Sequence, residues 1–149
     1  MKLVRRPLVM LVRQRAFTMV EMMIVAVIVA ILAAIALPSY TNYITKSEIR
    51  SSQAELLALS LNFENRYQRT LAYPVIAAAN NNTAGIKEEF PAWSPSSSNF
   101  AYSVDSGSDA TKYTLKATGS GRQSGCSITI TNTNTRATAG CKYGNGNWL

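Results

Sequence analysis

With 149 residues, 47% of them hydrophobic, the chain has room for one apolar segment and one modest domain. Its formal charge of +7 invites a nucleic-acid reading, but Lys2, Arg5, Arg6, Arg13 and Arg15 all precede residue 17 with no acid among them, so five of the seven excess charges sit in a leader. That distribution is a membrane topology signal that holds the leader on the cytoplasmic side, and it weakens the case for a basic nucleic-acid footprint.

Residues 1–16 hold only a short apolar patch, Leu8 to Val12, too short to span a bilayer. Residues 17–37, FTMVEMMIVAVIVAILAAIAL, are different: as a helix rising about 1.5 Å per residue they are roughly 30 Å long, the thickness of a hydrocarbon core. Glu21 interrupts them, and an ionisable group in such a segment is a functional candidate by default. Two processing readings follow. Ala34-Ile35-Ala36 offers a signal-peptidase site after Ala36, which would discard the helix and leave a periplasmic protein beginning at Leu37; a cut between Ala16 and Phe17 would keep it. The second is preferred, because Glu21 in a disposable signal would be a cost without a role.

The run Arg15-Ala16 followed by FTMVE, then an apolar stretch ending ALPSYTNY, resembles the leader and N-terminal helix of type IV pilins. The resemblance implies that a prepilin peptidase cuts after Ala16 and methylates the amine of Phe17. It also implies that Glu21 is the acid that sets the axial register of an incoming subunit by pairing with a neighbour's N-terminal amine. Pro38 then falls where the family places a helix-loosening proline, and Tyr40 and Tyr43 match the aromatic pair that follows. Ala16 stands where Gly is usual, and Ala30 where many major pilins have Gly. The resemblance implies no enzyme, cofactor or metal.

Pro38 lacks a backbone donor and crowds the carbonyl of Ala34, so a kink is expected there without an end to the helix. Residues 39–70 contain neither Gly nor Pro, and Ile49, Leu56, Phe63 and Tyr67 share one face, which reads as the stripe that docks on a sheet. Lys46, Glu48, Arg50, Glu55 and Glu64 are expected mostly off that stripe. Together with residues 17–38 this makes one helix of about 54 residues, roughly 80 Å long.

Residues 71–99, with Asn80-Asn81-Asn82, Gly85, Pro91, Pro95 and three serines, read as a loop pinned by Ile86, Phe90 and Trp93. From residue 100 the apolar period becomes two: Phe100, Tyr102 and Val104, then Tyr113, Leu115 and Ala117, then Cys126, Ile128 and Ile130, with turns between. A further short strand is expected around residues 141–143. The expected fold is thus α+β: a long N-terminal helix, transmembrane in its first half and amphipathic in its second, on an antiparallel meander of three to four strands, the pilin fold. Cys126 and Cys141 are the only cysteines, and in an exported domain they most simply form one disulfide; two such ligands without histidine could not close a zinc shell.

No catalytic constellation is visible: histidine is absent, so a Ser or Cys nucleophile lacks its usual base, and Glu88-Glu89 beside Lys87 reads as a solvated cluster. In the C-terminal third, Lys112, Lys116, Arg122, Arg136 and Lys142 outnumber Asp105 and Asp109. An ordinary surface is the preferred reading of these cations; a weak electrostatic contact with DNA is the sharper one.

The boundaries expected are a cleaved leader at 1–16, an assembly helix at 17–38, and a headgroup at 39–149 made of helix to 70, loop to 99 and sheet with disulfide loop beyond. The YITKSEIRSSQAELL helix, the YTLKAT strand and the tryptophan after the second cysteine resemble PilE-like minor pilins of type IVa pili. The resemblance implies a subunit held in the inner membrane with its head in the periplasm, then packed with major and minor pilins into a surface filament through an inner-membrane assembly platform. It would serve assembly, twitching motility, adhesion or DNA uptake. A type II secretion pseudopilin and a DNA-binding uptake pilin stand as the alternatives.

Overall fold

The structure, a computed structural model, describes residues 16–149; the leader cations at 2, 5, 6, 13 and 15 lie outside the described residues. One helix, α1, runs Met19–Thr70 without interruption and carries Pro38 inside it. Proline costs a helix one internal hydrogen bond, and α1 absorbs that loss. By contact density the chain divides into a unit ending at Ser39 and a compact unit from Tyr40 to Leu149.

Among its described residues the first unit is helix from Met19 onward. Thr18 caps it: its Oγ1 accepts from the Glu21 backbone amide at 3.2 Å, and the Thr18 carbonyl accepts from Met22 N at 3.2 Å. From Met19 to Leu37 not one residue is buried.

The second unit is the head. Its sheet has four strands in the order β1-β2-β3-β4, at Phe100–Val104, Thr114–Gly119, Ser127–Thr131 and Arg136–Ala139. All three pairings are antiparallel, so the meander follows the chain. The register stacks Val104, Leu115 and Ile130 in one row and Tyr102, Ala117 and Ile128 in the next, all buried. Against these rows α1 sets Ile49, Leu56, Leu59 and Phe63, each with no exposed surface. Tyr67, expected on the same stripe, is 36% exposed and stacks instead on Tyr73 with ring centroids 4.5 Å apart.

Two expectations are corrected. Residues 71–99 are not all loop, because Ala78–Asn80 form a 3-10 turn and Thr83–Glu89 a short helix, α2, capped where the Asn82 side chain accepts from Gly85 N at 3.0 Å. Ile86, Phe90 and Trp93 are buried, as the pinned-loop reading requires. The fourth strand lies at Arg136–Ala139 and not at residues 141–143. Its sequence, RATA, offers no large apolar residue to signal it; its burial is confined to Thr138, beside Ile128.

The segment before and into α2 also closes an edge of the sheet. Asn81 acts as a surrogate strand: its Oδ1 accepts from Val104 N at 2.7 Å and its Nδ2 donates to Val104 O at 2.6 Å, while Thr83 Oγ1 accepts from Tyr102 N at 2.9 Å. These side chains occupy the β1 edge groups that would otherwise invite pairing with another chain.

Candidate functional site

The first element is the start of α1. Phe17 is 74% exposed, directly before the capping residue Thr18. Glu21, three residues after Thr18, completes the Thr-x-x-Glu spacing of a capping box and puts a carboxylate in the first turn, where the helix dipole favours it. That local role went unread in the sequence, although the spacing could have shown it. It is compatible with a second role, since a side chain in an exposed first turn remains free to meet a partner outside the chain.

The head is tied to α1 by three acids. Glu55 accepts from Ser96 N and Ser96 Oγ, both at 2.8 Å, and from the buried Tyr102 hydroxyl, which also lies 3.2 Å from Ser52 Oγ. Glu64 accepts from the Tyr113 hydroxyl at 2.8 Å and from that of Tyr73 at 3.2 Å. Glu48 accepts from Asn99 Nδ2 at 2.9 Å and Gln123 Nε2 at 2.8 Å. Burial, reinforced by these carboxylates, raises the pKa of Tyr102, Tyr113 and Tyr73 above the ordinary phenol range. These acids lie off the apolar stripe, as expected, but flank it and bind the polar rim of the sheet, a role the sequence did not show. Lys87, Glu88 and Glu89 are exposed, in keeping with a solvated cluster, and Glu89 also pairs with Arg66 at 2.7 Å.

Cys126 and Cys141 are joined in a disulfide. The bridge closes just beyond the last β3–β4 pair, Ser127 with Ala139, so β3 and β4 both lie inside the loop it encloses. Gly140 makes the closure fit: its φ is 67°, and a Cβ there would meet the Gly125 carbonyl oxygen at 2.2 Å.

The five cations singled out as candidate DNA contacts do not form one patch. Lys112 ends the β1–β2 turn, where Asp109 Oδ1 accepts from Thr111 Oγ1 at 2.6 Å, Thr111 N at 2.7 Å and Lys112 N at 3.1 Å, bonds that lower the Asp109 pKa, the hydroxyl's most. Lys116 lies in β2 between the buried Leu115 and Ala117, so it belongs to the outward face of the sheet, while Lys112 sits in the turn just before β2, bridged to Asp109. Register places Ser103, Thr129 and Ala137 in the Lys116 row, and Thr131 beside Thr114, giving that face a floor of hydroxyls and methyls. Arg136 lies elsewhere, over the Trp148 ring at 4.9 Å, lining a groove with Glu64 and Tyr113. Arg122 and Lys142 are brought together, in a cleft against the other end of the head's part of α1. Among the described residues no group of three His, Cys, Asp or Glu side chains could hold a metal ion.

A family model described as type IV minor pilin ComP, DNA uptake sequence receptor, matches residues 38–141, more than half of the chain. A second, the prokaryotic N-terminal methylation motif, matches residues 11–37. Among curated proteins, the type IV major alpha-pilin of Moraxella bovis is 53% identical over 45 residues, 30% of this chain and 28% of that protein. The type IV major fimbrial protein FimA of Dichelobacter nodosus is 50% identical over 42 residues, 28% of this chain and 27% of that one. A fimbrial protein of Pseudomonas aeruginosa is 44% identical over 46 residues, 31% and 30% of the two chains. The match thus spans less than a third of the length of these relatives. No solved structure matches. The long helix on a four-stranded meander agrees with the family model that covers more than half of the chain, and the protein belongs to the type IV minor pilin ComP family.

Proposed function

We propose that the chain is a structural subunit of a type IV pilus. The observation that carries this reading is the unburied first part of α1: residues 19–37 are apolar but for Glu21, helical throughout, and have no buried member. α1 is long and apolar enough to cross a membrane. Such a surface is stable in lipid or against other copies of itself, and the same helix can pass from one to the other during assembly and retraction.

In this reading the domains are a leader at 1–16, an assembly helix at 17–38 and a head at 39–149. The leader is removed after Ala16 by the prepilin peptidase and Phe17 is methylated, which the methylation-motif match supports. The subunit waits in the inner membrane with its head in the periplasm, and the assembly platform passes it into a filament of major and minor pilins. Glu21 sets register against a neighbour's N-terminal amine, and Pro38 gives the helix its point of compliance. Introducing Ile28→Lys tests the reading: the variant should be absent from sheared filaments while its head keeps its disulfide and its fold. Its presence there at the level of the unaltered chain would sink the idea.

A second reading concerns the ligand. The family description, a DNA uptake sequence receptor, favours duplex DNA over the ordinary-surface reading, and the outward sheet face is the best-formed place for it. Lys116 stands on that face and Lys112 in the turn that leads into it, near threonine and serine hydroxyls of the kind that position phosphates. Arg136, Arg122 and Lys142 would meet the same duplex only at its margins. Mixing the protein with duplex DNA at low salt should give a mobility shift that Lys112→Gln with Lys116→Gln removes. A shift indifferent to both changes would move the contact off this face.

A further inference from the structure

The groove that Glu64 and Tyr113 share with Arg136 lies wholly within the head and has a volume of about 360 Å³, at the lower end of the range for small-molecule sites. One wall is α1, where Leu57, Leu61 and Glu64 follow one another at spacings of four and three and so share a face. The other is the end of β3 with the turn after it, and carries Ile130, Asn132, Asn134 and Arg136. That turn is braced from inside: Asn134 N donates to the Thr131 carbonyl at 2.9 Å, and Thr135 N to Thr131 Oγ1 at 3.1 Å. The groove is therefore shaped before anything enters it.

Two opposite charges line it without meeting. Glu64 accepts from neutral hydroxyls, that of Tyr113 at 2.8 Å and that of Tyr73 at 3.2 Å. Arg136 Nε donates to Asn134 Oδ1 at 2.9 Å and the guanidinium lies over the Trp148 ring, so both of its partners are neutral as well. Among the described residues the ion pairs within 4.0 Å are Arg66 with Glu89 and Arg122 with Glu48, which leaves Glu64 and Arg136 each without a counter-charge. The rest of the lining includes the aliphatic side chains of Leu57, Leu61 and Ile130, and Leu61 is 62% exposed, an apolar group that the head itself leaves largely uncovered.

A ligand that meets all three features carries an ammonium for Glu64, a carboxylate that the planar guanidinium of Arg136 can take at two points, and an aliphatic body for the leucines. We infer that this groove binds a small zwitterion of that kind, an aliphatic amino acid or a short peptide, with its ammonium on Glu64 and its carboxylate on Arg136. A simple anion or cation would leave one of the two charges unmet, and the phosphates of a nucleic acid would be repelled by Glu64. The inference goes beyond the pilus-subunit reading and does not depend on it.

The full chain in detergent, dialysed to equilibrium against labelled leucine or leucyl-leucine, tests this. At least one of the two should bind saturably with a dissociation constant below about 1 mM. Leucinamide, which lacks the carboxylate, and N-acetylleucine, which lacks the ammonium, should each bind about tenfold more weakly than leucine. Arg136→Gln, at an exposed position, should abolish the preference over leucinamide and keep the preference over N-acetylleucine. Glu64→Gln should do the reverse; because Glu64 also holds Tyr113, a lowered melting temperature in that variant would leave Arg136→Gln to carry the test alone. Tighter binding of leucyl-leucine than of leucine assigns the groove to peptides, and the opposite order to free amino acids. The absence of saturable binding of either at about 10 mM would overturn the inference. So would equal affinity for leucine and both of its charge-deleted analogues, which signals an apolar contact alone, or binding that Arg136→Gln leaves unaltered, which places the ligand elsewhere.

Discussion

The two halves of α1 use the same kind of residue for opposite ends. In the second half Ile49, Leu56, Leu59 and Phe63 are sealed under the sheet, while in the first half Val27, Ile28 and Ile31 are more than half exposed. Helical geometry is common to both, so the difference lies in what covers each apolar face. The head supplies its own cover from residues 73–149; the first half has none among the described residues, and in the proposed reading its cover comes from lipid or from other subunits. Stability of the head and incorporation into a filament are therefore separable properties of one helix.

The largest expected effect breaks the comparison at its buried end. Phe63→Ala should cost about 3–5 kcal/mol of head stability, because Phe63 packs against Phe90 and Tyr113 at ring centroid distances of 5.2 and 5.0 Å. Near-ultraviolet circular dichroism of the chain in detergent would report it as a lowered melting temperature. Ile31→Ala, the matching change in the other half, should leave that melting unchanged. Reducing the Cys126–Cys141 bridge comes next, at about 3 kcal/mol, since it frees a loop of fifteen-residue separation that contains half the sheet. Melting with and without reductant measures it.

Glu55→Ala should follow at about 1–3 kcal/mol, the cost of leaving the buried Tyr102 hydroxyl only Ser52 and of releasing Ser96 from its carboxylate. The same tyrosines predict a pH response. Their pKa values are raised in the folded state, so the folded head retains protons that the unfolded chain releases. The tyrosines' contribution to stability should be level below about pH 10, the ordinary phenol value, and fall above it. Tyr113→Phe should flatten that fall. The smallest effect is expected at Arg66→Ala: both partners of its ion pair are about 40% exposed, so the loss should stay within about 0.5 kcal/mol.

The period-two runs at 100–104, 113–117 and 126–130 made three strands legible, because alternating large apolar residues report a half-buried sheet directly. The helix was legible for a similar reason, as was the cysteine pairing from its count. β4 was not, since alanine and threonine carry little periodic signal and the strand is defined by pairing to β3. α2 was hidden among turn formers, though Asn82 ahead of Thr83–Glu89 is a capping signal in its own right. The roles of Glu48, Glu55 and Glu64 were illegible because charge on a helix normally means solvent; only the arrival of Tyr102, Tyr113 and Asn99 from distant parts of the chain makes them structural. Of the five candidate cations the sequence gives types but not places, and the fold scatters them.

The most direct test of the account is the intact mass and N-terminal sequence of the chain recovered from sheared filaments. The account requires a chain that begins at Phe17 and carries one added methyl group, with the whole of α1 retained. A mature chain that begins at Leu37, or one recovered only as a water-soluble protein without residues 17–36, would contradict it.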